Sequence, residues 1–168
     1  MSQNKLSRSL IPDPHEALAL VSALSLIAAV VSTGVQYIGD LEPCPLCITQ
    51  RLVVMVIGIG ALCALGLAKR QSAKSTSTLV LSILALGGLG VSMRHLWIQS
   101  DMGAPVESCG PGASYLMDTL PAWQVLIEML GGTGDCANVS PVFGLPIPLW
   151  SAMVFVAVIG LLQASYWK

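Results

Sequence analysis

Charge is what this sequence has least of. Asp, Glu, Lys and Arg make up 10% of its 168 residues, against roughly 25% in a soluble domain. So little charge cannot cover a water-facing surface, and 54% of the residues are hydrophobic. Between His95 and Trp150 there is no Lys or Arg at all. No basic run and no mixing of basic with aromatic residues occurs, so nothing points to nucleic acid. A Gly-rich phosphate loop, a nucleophile triad and a pair of carboxylates are also missing. The net charge of −1 carries little meaning, because the placement of the charges matters more than their sum.

What is present is apolar sequence in four blocks, at about residues 17–35, 48–68, 78–97 and 147–166. Each block is roughly 20 residues long, which as a helix spans a hydrocarbon core of about 30 Å. A bilayer offers no water to backbone groups, so helices are the expected form. The expected fold is an all-α membrane protein, with residues 1–168 forming one integral membrane domain, a four-transmembrane-helix bundle. Gly58, Gly60 and Gly66, with Gly87, Gly88 and Gly90, suit close helix contact in a membrane. The first block is read as a span and not a cleaved signal. Asp13, Pro14 and Glu16 precede it, and no A-x-A site follows.

Basic residues orient the bundle. Lys5 and Arg8 precede the first block, Lys69, Arg70 and Lys74 lie between the second and third, and Lys168 ends the chain. These lie on one side, expected to be the cytoplasm with both termini. Only Arg51 and Arg94 fall towards the other side, both at span ends. That side receives a short loop, about 36–47, and a long one, about 98–146. The expected setting is a bacterial inner membrane with both loops periplasmic.

Four of the five cysteines lie on the loop side, where disulfides are permitted. Cys44 and Cys47 form a Cys-x-x-Cys in the short loop; Cys109 and Cys136 lie far apart in the long one. Four cysteines allow three pairings, and the simplest pairs each loop internally. Pro43 and Pro45 hold the chain extended before the second helix. Cys47 therefore falls at or near a helix N-terminus, which favours thiolate, the reactive form. Arg51, four residues on, shares its helical face and leans back towards it. The plainer readings of the motif are a structural staple or half of a four-cysteine zinc site. The wide separation of Cys109 and Cys136 suits zinc poorly, and no metal is expected.

Arg51 sits one turn inside an apolar block, where an arginine either snorkels or serves an anionic species such as a thiolate or a reduced quinone. Glycines beside Cys109 and Cys136 imply mobile backbone there. Residues 121–130 read as a short helix, with Pro121 at its start and Gly131 just past its end. Trp123, Leu126, Ile127 and Leu130 make one apolar face, which either lies on the membrane surface or packs on the span ends. Cys63 reads as an inert buried thiol in mid-span. Arg94 reads as an interfacial anchor, His95 as an anchor or a proton handler, and Trp97, Trp150 and Trp167 as interface aromatics.

Together these residues resemble the DsbB family of bacterial disulfide-generating membrane proteins. Four motifs carry the resemblance: Pro43-Cys44-Pro45-Leu46-Cys47 with Arg51 four positions on; Arg94-His95-Leu96-Trp97; Gly134-Asp135-Cys136-Ala137; and Phe143-Gly144-Leu145-Pro146-Ile147-Pro148-Leu149-Trp150. It covers all four spans and both loops. The resemblance implies a relay in which a reduced thioredoxin-like oxidase, DsbA, attacks the Cys109–Cys136 disulfide through Cys109. Cys44–Cys47 then re-oxidises the long-loop pair. Cys47 matches the sulfur that meets ubiquinone or menaquinone, Arg51 the quinone-site arginine, and His95 a histidine near that site. The oxidising periplasm maintained by such a chain is an established general case. Gln50 stands where some members carry an acidic residue, and Ile147 where some carry methionine. Both departures leave the quinone type open.

Three other functions compete. A vitamin K epoxide reductase-like enzyme uses similar chemistry, but in that family the loop cysteines come before the Cys-x-x-Cys. A thiol-based metal-binding membrane protein would hold zinc or copper and no quinone. A scaffold with two staples would resist mild reduction.

Overall fold

The computed structural model describes residues 12–40, 43–67, 71–100, 115, 118–132, 134–137 and 141–166. Four long helices dominate: α1 (Pro14–Ile38), α2 (Pro45–Leu67), α3 (Gln71–Gln99) and, last in the chain, α5 (Ile147–Tyr166). All four are long and apolar enough to cross a membrane. Between α3 and α5 lie a short helix α4 (Ala122–Gly131), a 3-10 turn (Gly134–Ala137) and a two-strand hairpin, β1 (Pro141–Val142) with β2 (Leu145–Pro146).

Local chemistry sets the helix ends. Asp13 precedes α1 in extended conformation, its backbone N–H donates to the Glu16 carboxylate at 3.2 Å, and Pro14 opens the helix. Gly39 closes α1 with its N–H on the Val35 carbonyl. Pro45 opens α2 in the same way as Pro14. Pro121 caps α4, whose last residue is Gly131; the break comes one residue later than the sequence suggests, at Gly132, where φ is +80°. The hairpin was not foreseen. Phe143 and Gly144 both have positive φ, the backbone of a type I′ turn, and Pro141 pairs with Pro146 and Val142 with Leu145.

The spans form a ring in which α1 packs on α2, α2 on α3, α3 on α5 and α5 on α1, with little contact between α2 and α5. The core inside the ring includes Val21, Ile57, Ala61, Leu81, Ala85, Phe155 and Leu162. Lipid is as apolar as these side chains, so close fit and not water exclusion holds the helices together. Gly88 shows such a fit, because a Cβ there would lie 2.3 Å from the Phe155 ring. A Cβ at Gly58 or Gly60 would lie about 3 Å from Leu26 or Leu81, whereas one at Gly66, Gly87 or Gly90 would meet nothing within 4 Å among the described residues. Some hydroxyls bond back to their own helix, as the buried Ser92 does to the Gly88 carbonyl and the half-buried Thr33 to the Ala29 carbonyl, whereas the buried Ser25 and Ser82 hydroxyls have no partner among the described residues.

The outward faces carry Ile27, Val30, Leu52, Leu62, Ile83, Leu86 and Val156, as a lipid-facing surface should. Cys63 belongs to that surface and corrects the expectation of a buried thiol. Val54, Ile57, Ala61 and Ala64 occupy the core-facing stripe of α2, and Cys63 falls outside it. The apolar face of α4 is also outward: Trp123, Leu126, Ile127 and Leu130 are exposed, and Met129 is the buried residue of that helix. That face does not pack on the span ends among the described residues.

Candidate redox site

At one end of the ring, the start of α2, the end of α3 and the 3-10 turn converge on a second buried cluster: Cys44, Leu46, Ile98 and Cys136, with Cys47 and Val91 against it. The start of α2 builds the first part. Ile48 N–H bonds to the Cys44 carbonyl at 3.1 Å, closing the first turn and bringing the two cysteines of the motif to one side. Their sulfurs lie 2.9 Å apart, and Cys47 N–H donates to Cys44 Sγ at 3.3 Å. A backbone donor that a helix start leaves unused therefore serves sulfur.

α3 supplies His95, only 1% exposed. Its Nε2 lies 3.7 Å from Cys44 Sγ and 3.3 Å from Gln99 Nε2, and its Nδ1 lies 3.3 Å from Gln50 Nε2. Gln50 is 2% exposed, and its Oε1 is buried without a partner among the described residues. Sequence reasoning treated Gln50 only as a departure from relatives. A lone amide in an apolar stretch, three residues after Cys47, was the available signal.

The 3-10 turn supplies Cys136, which is fully buried rather than held on an open arm. It is near enough to Cys47 for the two sulfurs to interact electrostatically. Gly132 makes this approach possible. Its φ is +80°, and a Cβ there would lie 2.9 Å from Ile98 and Leu46. Arg94 holds the same segment, with Nε and Nη2 donating to the Gly131 carbonyl at 3.1 and 2.8 Å. Its role therefore includes fastening α4 to α3. Cys109 lies outside the described residues, as does Trp167.

Arg51 lies one turn beyond Cys47 and close enough to act on it electrostatically. Its guanidinium also crosses to α1: Nη1 donates to Gln36 Oε1 at 2.6 Å and Nη2 to the Ser32 carbonyl at 3.1 Å. Its Nε is buried without a partner among the described residues. Of the six residues expected at the site, Cys44, Cys47, Cys136 and His95 come together, and Arg51 flanks them.

The ligand atoms of Cys44, Cys47 and His95 all lie within 4.8 Å of one another. Two thiolates on one tetrahedral zinc, with bonds of about 2.3 Å, would stand roughly 3.7 Å apart. The observed 2.9 Å lies between that spacing and the roughly 2.05 Å of a disulfide bond.

The family model "Disulfide bond formation protein DsbB" matches residues 14–164. A Disulfide bond formation protein B from Chromobacterium violaceum is 40% identical over 147 residues, 86% of this chain and 88% of that protein. One from Acinetobacter baumannii is 38% identical over 155 residues, 89% of each chain. No solved structure matches. By this match along nearly its whole length, the chain belongs to the disulfide bond formation protein B family and is a disulfide-forming membrane oxidoreductase with four spanning helices.

Proposed function

We propose that this protein re-oxidises a soluble DsbA-like dithiol oxidase in the periplasm and passes the two electrons to a membrane quinone, ubiquinone or menaquinone. The observation that carries the reading is the convergence of Cys44, Cys47, Cys136 and His95 at one end of a membrane bundle. The partner's thiolate attacks Cys109 of a Cys109–Cys136 disulfide, and Cys136 leaves as thiolate. Cys136 then attacks Cys44, a Cys44–Cys136 bond forms, and Cys47 carries the displaced electron pair. The partner's second thiol attacks its mixed disulfide, leaves the partner oxidised and frees Cys109. Cys109 attacks Cys136, which expels Cys44 and restores the long-loop disulfide.

A quinone bound beside Cys47 supplies the two-electron acceptor that returns Cys44 and Cys47 to a disulfide. The residues fit such a group, because the buried Arg51 Nε–H lacks an acceptor among the described residues and a carbonyl oxygen is one. The basic residues of the opposite side support an inner-membrane placement with both termini cytoplasmic.

The test is purified protein in detergent, mixed with a reduced thioredoxin-fold oxidase and a soluble quinone analogue. One quinone should be reduced per partner disulfide formed. Partner oxidation without quinone reduction would overturn the electron route.

A further inference from the structure

The start of α2 and the end of α3 bring three metal-ligating side chains to one point. Cys44 Sγ, Cys47 Sγ and a ring nitrogen of His95 all lie within 4.8 Å of one another, the only such group among the described residues. Cys44 and His95 are buried, and Cys47 keeps partial exposure through which an ion can enter. Two residues separate the cysteines, a spacing common among zinc ligands. On a tetrahedral zinc, a thiolate sulfur and an imidazole nitrogen stand about 3.6 Å apart, and two sulfurs about 3.7 Å. His95 Nε2 already lies 3.7 Å from Cys44 Sγ. The two sulfurs, at 2.9 Å, need only separate a little, and reduction removes the bond that would hold them together. The expectation of no metal rested on Cys109 and Cys136, too far apart in sequence to complete a four-cysteine site. A histidine from another helix takes the place of that pair, and spacing along the chain does not reveal it.

We propose that the reduced Cys44–Cys47 pair and His95 form a zinc site, with water in the fourth position, and that zinc held there keeps the pair from returning to a disulfide. Cys44 and Cys47 bind as thiolates and His95 as neutral imidazole through Nε2. The two thiol protons pass to solvent, and no atom is oxidised or reduced. Two thiolates cancel the charge of the ion, so the site is neutral and suits a buried position near the Arg51 guanidinium. In the metal-free protein either tautomer of His95 finds a partner, because the Gln50 and Gln99 amides each lie 3.3 Å from a ring nitrogen. The ion selects one. With Nε2 on zinc the ring proton is on Nδ1, where the Gln50 amide accepts it by presenting its oxygen, and Gln99 yields its place at Nε2. Oxidised protein has no such site, since a disulfide offers no thiolate. The site itself stands on the placement of Cys44, Cys47 and His95; its inhibitory effect rests on the relay proposed above.

Cobalt(II) is the probe, because it takes the same ligands as zinc and its visible spectrum reports a tetrahedral set that includes sulfur. Untagged full-length protein in detergent, stripped of quinone and reduced in the absence of air, should bind one cobalt ion with that spectrum and lose it to added zinc. The same protein with its disulfides intact should give no such spectrum. Cys47→Ser and His95→Ala should each weaken binding about tenfold or more, at least the loss that follows removal of an outer partner. Cys63→Ser and Cys109→Ser should bind as the wild type does. Mixed with a soluble quinone analogue and no partner, the reduced protein should lose quinone reduction in proportion to the sites filled by zinc, and a chelator should restore it. Absence of tetrahedral cobalt from the reduced protein, an equal signal from the oxidised protein, or binding untouched by both Cys47→Ser and His95→Ala would overturn the site. Undiminished quinone reduction with the site filled would overturn the inhibition. The comparison of reduced with oxidised wild type needs no variant, so it decides even if a variant fails to fold. Failure of the relay would appear separately, as metal-free wild-type protein that reduces no quinone.

Discussion

Arg51 is claimed by two neighbours at once, the sulfur of Cys47 on its own helix and the polar end of α1. Its anchorage to Gln36 and Ser32 leaves Nε a buried donor without a partner among the described residues. Arg51→Ala should raise the KM for quinone by about tenfold or more, on the scale of a lost charge-assisted bond. Arg51→Lys should lose less, since it keeps the charge but not the planar fork. Steady-state quinone reduction across quinone concentrations measures both, and unchanged kinetics in Arg51→Ala would leave the residue a mere anchor. Cys136→Ser should abolish oxidation of the soluble partner, measured by alkylating the partner's thiols; normal oxidation would reduce the long-loop pair to a staple. Cys44, Cys47 and Arg51 were legible in the sequence because one helix start holds all three. The contact between His95 and Cys44 was not, because it joins residues 51 positions apart and depends on how α2 and α3 pack. Gln50 became meaningful only once that packing was known.

At the scale of elements, the four spans could be read because length and apolarity alone decide them. Which glycines make contacts could not, since facing residues on another helix determine it. Gly88→Ala would drive a methyl group into the Phe155 ring, while Gly90→Ala enters open space. The first should cost about 1–3 kcal/mol of stability by overpacking, and the second should cost nothing measurable. Thermal unfolding in detergent compares the pair, and equal melting temperatures would refute the packing assigned to Gly88. Gly132→Ala meets both a positive φ and side chains at 2.9 Å. It should displace the 3-10 turn and slow exchange between Cys136 and the Cys44–Cys47 pair. Stopped-flow mixing with reduced partner would detect this as a slower approach to quinone reduction. The hairpin before α5 escaped notice because Phe143 is an unusual residue at positive φ, and no Asn-Gly or Asp-Gly marked the turn.

For the molecule as a whole, the distribution of Lys and Arg sets the expectation that the redox end faces the periplasm. A reporter enzyme fused after Lys168 should be active only in the cytoplasm, and periplasmic activity would invert the bundle. The two buried clusters, one inside the ring and one at its end, divide the cysteines in the same way: the three described sulfurs of the proposed relay sit in the end cluster, while Cys63 lies on the outward face of its span. This division affects how the protein's thiols are counted. A charged, water-borne alkylating reagent has no route to a sulfur bathed in acyl chains, so titrations with it report the relay alone. A count made after unfolding in a denaturing detergent takes in Cys63 as well, and adds one equivalent whatever the redox state. The difference between the two counts gives each preparation an internal standard for its own protein concentration.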